Sequence, residues 1–318
     1  MTRRPTAEQI ARARRKLESA LGSSRVLAEP DACAAYGGDE SGVEPRTPDL
    51  VALAESSDHL RAALRIAGEE EVPILARGGG TGKTGGAVPL EGGIVVATQG
   101  LNRIKDVDHG EGLVVVEPGV VLAELHRAVE AEGWFYPPDP NSVVGCALGG
   151  NVAENAGGPR AFRYGVTGDY VLGVEAFLVG GARLQVGRRT VKGVTGYDVA
   201  HLLVGSEGTL AVFGDLVLRL IPKPAEVRTL LALFSDARGA ANAVGSIVRR
   251  GCVPRCLELM DAATLQAMRD DGNDFDSRAG ALLIIEVDGD PPSCELQAQR
   301  VMDACADVGG LSVQLAKD

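Results

Sequence analysis

Residues 74–86 read ILARGGGTGKTGG, a short apolar run that ends at Arg77 and opens into glycine. Two phosphate-binding motifs overlap there. GKT at 82–84 matches the end of the G-x-x-x-x-G-K-[ST] loop, which sets its lysine on the outer phosphates of a nucleoside triphosphate. Its first glycine would fall at 77, and that residue is Arg77. Gly80, Gly82 and Gly85 also match G-x-G-x-x-G, the dinucleotide fingerprint. Both motifs must open a helix, because the helix N-terminus carries part of the phosphate affinity. The next residues, GGAVPLEGGIVVAT, include Gly85, Gly86, Gly92, Gly93 and Pro89, which forbid a helix. The stretch is therefore strand, glycine loop, strand. Such a loop can still bind phosphate, because consecutive glycines let backbone N–H groups converge on an anion.

Outward from the loop the elements alternate. Thr6 and Gln9 form a capping box for a first helix that Gly22 stops, with Ile10, Leu17 and Leu21 on one face. A second helix falls in ESSDHLRAALRIAGEEE, with a stripe of Leu60, Leu64 and Ala67. After the glycine loop come the strand GLVVV, the helix VLAELHRAVEAEG and the proline-rich PPDPNS at 137–142. A second glycine cluster, 149–165, brackets NVAEN, which reads as a single helical turn. Strands at DYVLGVEAF, ARLQVG and LAVFGDLVLRLI lead to Pro222 and Pro224, the best domain boundary in the chain. Beyond it, strands and helices alternate as for helices packed on one face of a small mixed sheet, closing with a strand over 311–318.

The chain has 318 residues, enough for two cores. A net charge of −11 excludes a nucleic-acid partner, which needs a basic face. No stretch approaches the ~20 apolar residues of a membrane span, and the N-terminus lacks the apolar segment of a secretory signal. The expected location is the cytoplasm, with peripheral attachment to a membrane complex as an extension. Six scattered cysteines lack metal-ligand spacing and read as free buried thiols.

The glycine loops have a specific wording. RGGGTGKTGG, EPGV, PPDPNS, GGNVAENAGGPRAFRYG, VKGVTGYD and GSEGTL resemble, in that order, the flavin-binding domain of the vanillyl-alcohol oxidase and p-cresol methylhydroxylase superfamily. Within it the sequence is most similar to the glycolate oxidase flavoprotein subunit and the D-lactate dehydrogenases. The resemblance implies an α+β fold: an N-terminal helical segment (1–44), a two-part FAD-binding domain of the p-cresol methylhydroxylase type (45–225) and an incomplete ferredoxin-like α/β cap (226–318).

The same resemblance implies noncovalent FAD, since no histidine lies between Arg77 and Gly86 to carry a covalent flavin. Gly78, Gly79, Gly80, Thr81 and Gly82 would cradle the pyrophosphate, with Arg77 at the loop's entry. Pro138, Asp139 and Ser142 would line the flavin cleft, and Gly149, Gly150, Asn155 and Gly158 would run along the cofactor. Glu207, Gly208 and Thr209 would close the adenine side. The implied reaction is oxidation of a small 2-hydroxy acid by hydride transfer to flavin. It needs a cation for the substrate carboxylate, a base, and an electrophile at the hydroxyl oxygen. The relatives draw these from an arginine in the cap and a late H-x-G-D-G-N-x-H metal motif. His59, His109, His126 and His201 stand outside any such motif, so no catalytic or metal residue is assigned. Of the four, His201, near the GYD loop, has the best claim to a role. The expectation is that the chain carries the cofactor half and stops partway through the cap. The alternative is a noncatalytic FAD-binding or electron-relay subunit. Iron–sulfur and second flavin-type subunits are the implied partners.

Overall fold

The computed structural model describes residues 4–316, which group into two units. The first holds the chain up to Tyr136, then Ser142–Ala156 and Val166–Ile221. The second holds Pro137–Asn141, Gly157–Gly165 and the chain from Pro222 onward.

The first helix, Ala7–Leu21, begins as its capping box dictates, with the Gln9 N–H donating to Thr6 Oγ1 at 3.3 Å and the Thr6 N–H to Gln9 Oε1 at 2.9 Å. It buries Ala13, Leu17 and Leu21 against Leu60, Ala63, Leu64 and Ala67 of the second long helix, Ser57–Glu70. Arg12 and Lys16 cross from one helix to the other to pair with Glu70 at 2.6 and 2.7 Å. Between these helices lies a short one, Pro30–Ala34, which the sequence pattern does not announce.

Two sheets build the rest of this unit. In the smaller, Leu50–Leu53 and Ile74–Arg77 both pair in parallel with Ile94–Ala97, and Val26–Leu27 adds an antiparallel edge. Parallel neighbours need a long crossover, usually helical. The crossover from Arg77 to Ile94 has no helix and returns through glycine turns, among them Val88 N–H to Gly85 C=O at 3.1 Å. The larger sheet is antiparallel, in the order Ile104–Asp108, Leu113–Val116, Val212–Arg219, Val171–Phe177, Arg183–Gly187. All seven residues of the interior strand Val171–Phe177 are buried, Glu175 among them.

In the second unit the strands run in the order Cys256–Met260, Ala281–Gly289, Glu226–Phe234, Ser312–Leu315. Numbered along the chain this is 2-3-1-4, the ferredoxin-like order. Every neighbouring pair is antiparallel, which corrects the expected mixed sheet. Leu230, Ala232 and Phe234 face Ala240, Ala243 and Ile247 of one helix and Ala298, Val301 and Ala304 of another. The helix Ala262–Asp270 takes the other face, setting Leu265 on Leu233 and Leu282, so helices cover both faces rather than one. All six cysteines are free and buried. The last two residues of the expected final strand, Lys317 and Asp318, lie outside the described residues.

Candidate functional site

The glycine loop starts where the strand Ile74–Arg77 ends. Its shape comes from what each glycine must pass. A Cβ on residue 79 would collide with the carbonyl oxygen of Gly145, and one on Gly78 would lie 3.1 Å from the Cβ of Ala147. Gly80 has φ +72°, a left-handed backbone that favours glycine. A side chain there would strike the guanidinium of Arg77, which itself donates to Gly38 C=O and lies 5.9 Å over the Tyr36 ring. Burial lowers the pKa of Arg77, and Asp39 opposes that shift.

Among the described residues, the backbone N–H groups of Gly78, Gly79, Gly80, Thr81 and Gly82 donate to no protein acceptor. Five consecutive open donors are far from the rule that backbone polar groups are paired, and a run of unpaired N–H groups is what an anion-binding nest requires. Gly150 stands beside them, 3.8 Å (N) from a Cβ built on Gly78, and a Cβ on Gly150 itself would meet nothing within 4 Å. The residues on this side therefore fit the pyrophosphate of a dinucleotide.

Residues 149–155 form more than one turn. Leu148–Glu154 is a helix whose Leu148 and Gly149 N–H groups bond Val120 and Pro118 C=O at 3.0 and 2.7 Å. Asn155 ends it in the left-handed conformation, φ 50°, and its Oδ1 accepts from the Gly168 N–H at 2.8 Å. The Asn155 side chain thus holds the protein's own backbone. Asn151, absent from the sequence-based site, has its Nδ2 buried with no protein acceptor among the described residues. An orphaned buried amide asks for a partner, and its place inside GGNVAEN was the available signal.

Ser142 accepts from the N–H groups of Gly145 and Cys146, both at 2.8 Å, and so shapes the turn under Gly79. Glu207 and Gly208 both have positive φ, 51° and 72°, with Thr209 N–H bonded to Ser206 C=O at 2.9 Å. This is the pattern of a tight primed turn, and Glu207 is an uncommon residue for it. Glu154 receives Thr84 Oγ1 at 3.0 Å. Burial, aided by Glu207 and Asp39, pushes its carboxyl above the usual range against the Thr84 bond. Lys83 pairs with Glu40 at 2.5 Å on the surface, which accounts for it without a phosphate.

Pro138, Asp139 and Gly158 belong to the second unit. A Cβ on Gly158 would run into the backbone of Asp139, so these two segments are in close contact. Asp139 Oδ1 accepts from the Arg160 N–H at 3.1 Å and its Oδ2 pairs with Arg160 Nε at 3.0 Å. Burial lifts the Asp139 carboxyl above the usual range in spite of that arginine.

The remaining candidates resolve into braces and surface. His201 has Nδ1 2.8 Å from Asp198 Oδ1 and Nε2 3.0 Å from Gly168 C=O, so both nitrogens serve structure. His109 lies between Trp134 Nε1 at 2.8 Å and Glu132 at 2.8 Å. Tyr197 is 99% exposed, which rules out the packing role a tyrosine usually has. No group of His, Cys, Asp and Glu among the described residues could hold a metal ion, and none of their helices is long and apolar enough to cross a membrane.

Set against known proteins, residues 48–187 match the family described as FAD binding domain, and residues 223–318 the C-terminal domain of FAD linked oxidases. The chain belongs to the FAD-linked oxidases and carries an FAD-binding domain. It is 39% identical over 271 residues to the glycolate oxidase subunit GlcD of Bacillus subtilis, covering 85% of this chain and 58% of that protein. It is 38% identical over 236 residues to a D-lactate dehydrogenase of Archaeoglobus fulgidus, covering 73% and 53%. Its fold matches that of p-cresol methylhydroxylase with a TM-score of 0.75 at 17% identity, over 98% of this chain and 67% of that one. The chain thus spans just over half the length of these curated relatives.

Proposed function

We propose that this chain is the FAD-holding part of a dehydrogenase or oxidase for a small 2-hydroxy acid of the glycolate or D-lactate type. The observation that carries the reading is the row of five open N–H donors at 78–82, set beside Gly150 in a chain that matches an FAD-binding domain and the C-terminal domain of FAD linked oxidases. In this reading those donors take the pyrophosphate, Arg77 braces them, and Ser142, Gly149 and Gly150 shape the wall beside them. Pro138, Asp139 and Gly158 line the ring, while Glu207, Gly208 and Thr209 turn beside the adenine half. Asn155 contributes through the turn it holds at Gly168. FAD, when bound, supplies the hydride acceptor. The protein's part is to bind the cofactor, orient it and keep water from it.

Binding is noncovalent in this reading, since the loop offers no histidine. Two relatives support the substrate class, one named a glycolate oxidase subunit and the other a D-lactate dehydrogenase. The word subunit in the first name supports a place in a heteromeric complex, where iron–sulfur or second flavin-type subunits would pass electrons on. That setting fits a cytoplasmic protein at the membrane's edge.

The test begins with added FAD. The expected result is a yellow protein whose flavin leaves on acid or heat, and a folded protein that stays colourless in excess FAD overturns the reading. The loaded protein is then mixed in a stopped-flow instrument with glycolate, D-lactate and D-2-hydroxyglutarate, with dithionite as the control. Bleaching of the flavin band by one of the acids places the base within this chain. Bleaching by dithionite alone leaves the chain its FAD-holding role and assigns the base and carboxylate clamp elsewhere.

A further inference from the structure

Asp288 is the most deeply buried carboxylate of the second unit, with no exposed surface, near the end of the strand Ala281–Gly289, two residues after Glu286. Tyr164 Oη donates to its Oδ2 at 2.8 Å, and Arg163 Nη1 faces its Oδ1 at 3.1 Å. Arg255, just before the neighbouring strand Cys256–Met260, reaches Oδ2 at 3.4 Å and Glu286 at 3.6 Å. Gln297 closes the group, donating to the Asp288 C=O at 3.2 Å and accepting from Arg163 at 3.3 Å. Burial and Asp288 together raise the pKa of the Tyr164 hydroxyl, so it stays a donor.

A buried ion pair is a poor source of stability, because desolvation consumes most of the Coulombic gain and apolar replacements are often as stable. Its better-attested use is to fix one arrangement among several. What Asp288 fixes is a strip of chain from far away in the sequence. Gly157–Gly165 belongs to this unit, and it is anchored twice. Arg160 near its start is held by Asp139, and Arg163 and Tyr164 near its end are held by Asp288. Between the anchors it has only one turn of helix, Ala161–Tyr164, which would not stay put alone.

We propose that Asp288 is a positioning residue for cofactor binding: it sets the backbone of Gly157–Gly165, and through Arg160 the Asp139 loop, in the shape that the flavin ring requires. This rests on the FAD reading above. Asp288 touches no cofactor in this scheme and acts only through Arg163 and Tyr164.

Three variants of the full chain test it. Tyr164→Phe removes the hydroxyl that bonds Asp288 and leaves the Arg163 and Arg255 pairs in place, so it tests the idea even if Asp288→Asn fails to fold. Val301→Ala, in the apolar core of the same unit, lowers stability without touching the network. FAD affinity is read by flavin fluorescence, and amide exchange of 157–165 is measured without FAD. Tyr164→Phe should weaken FAD binding about three- to tenfold and Asp288→Asn by more than tenfold, a loss of ~1.4 kcal/mol or more. Both should speed exchange across 157–165, while Val301→Ala leaves the FAD affinity unchanged. If the wild type binds FAD and the network variants bind it equally well, the positioning role is wrong. It is also wrong if Val301→Ala weakens FAD as much as they do. Unchanged exchange at 157–165 refutes it whatever FAD does, whereas a wild type that binds no FAD refutes only the function proposed for the chain.

Discussion

The carbonyl oxygen of Gly145 occupies the place where a side chain on Gly79 would have to begin. Both partners are backbone, and the turn carrying Gly145 is itself held by the two N–H bonds to Ser142. Neither side can yield without distorting the other. Gly79→Ala should therefore cost about 1–3 kcal/mol of stability in the first unit, the usual penalty for overpacking. It should also weaken FAD binding more than tenfold, because the open donors on either side move with it. Titration with FAD beside a thermal melt checks both. An alanine variant with wild-type affinity would mean that the loop relaxes freely and that its shape is not what binds.

Gly80 and Lys83 make a sharper contrast. At Gly80 a Cβ meets the far end of a flexible Arg77, so Gly80→Ala has one movable neighbour and a left-handed backbone to accommodate. The backbone term is roughly 1–2 kcal/mol. Gly80→Ala should thus be milder than Gly79→Ala, and Gly80→Val should abolish binding. Lys83→Ala breaks only an exposed pair with Glu40, worth about 0–1 kcal/mol. FAD affinity should not change. A Lys83→Ala variant more damaged than Gly80→Val would restore the triphosphate-loop reading of 77–84.

Asn155 combines two local duties, and substitution can separate them. Its left-handed φ of 50° is a strain for alanine and none for glycine, while its Oδ1 bond to Gly168 is lost in both. Asn155→Gly should cost about 1 kcal/mol for that bond. Asn155→Ala should cost roughly 1 kcal/mol more for the backbone. Equal melting temperatures for the two variants would show that the conformation carries no strain.

Much of this was legible in the sequence because the signals were local. Glycines and Pro89 after Arg77 exclude a helix wherever they occur, and the Thr6–Gln9 box acts within one turn. The sequence shows only a single turn at NVAEN where the helix Leu148–Glu154 forms, because Gly149 and Gly150 lower its intrinsic propensity. Burial of Leu148 and Val152, with bonds to Pro118 and Val120, overrides that cost. The second unit's claim on Gly157–Gly165 rests on Tyr164 meeting Asp288, 124 residues away, and no local pattern reports such a pairing. In the sequence Asp288 is only the acidic end of an apolar strand. Tyr197 runs the opposite way, since a tyrosine usually packs and the loop leaves this one bare. The glycine loop itself was readable as an anion site because open N–H groups result directly from a run of residues that cannot form a helix.

Glu117 links the first unit to pH. It is 1% exposed and takes the Arg103 N–H at 2.9 Å, with the Arg103 guanidinium at 2.7 Å and Lys105 Nζ at 3.4 Å. Burial pushes its carboxyl up, but the two bonds from Arg103 and the charge of Lys105 outweigh burial and leave it below the usual range. A carboxylate whose pKa is lower folded than unfolded stabilises the fold above its unfolded pKa. That contribution is lost as pH falls through the folded value. Melting temperature should therefore decline from the ordinary carboxylate range, about pH 4.3, downward. Other paired carboxylates such as Glu70 add to the same decline, so the difference between two proteins is the informative quantity. Glu117→Gln keeps the shape, loses the charge, and should melt below wild type near pH 7. The gap should narrow as pH drops below about 4, where wild type loses what the variant never had. A gap that stays constant across that range would show that Glu117 contributes by packing alone.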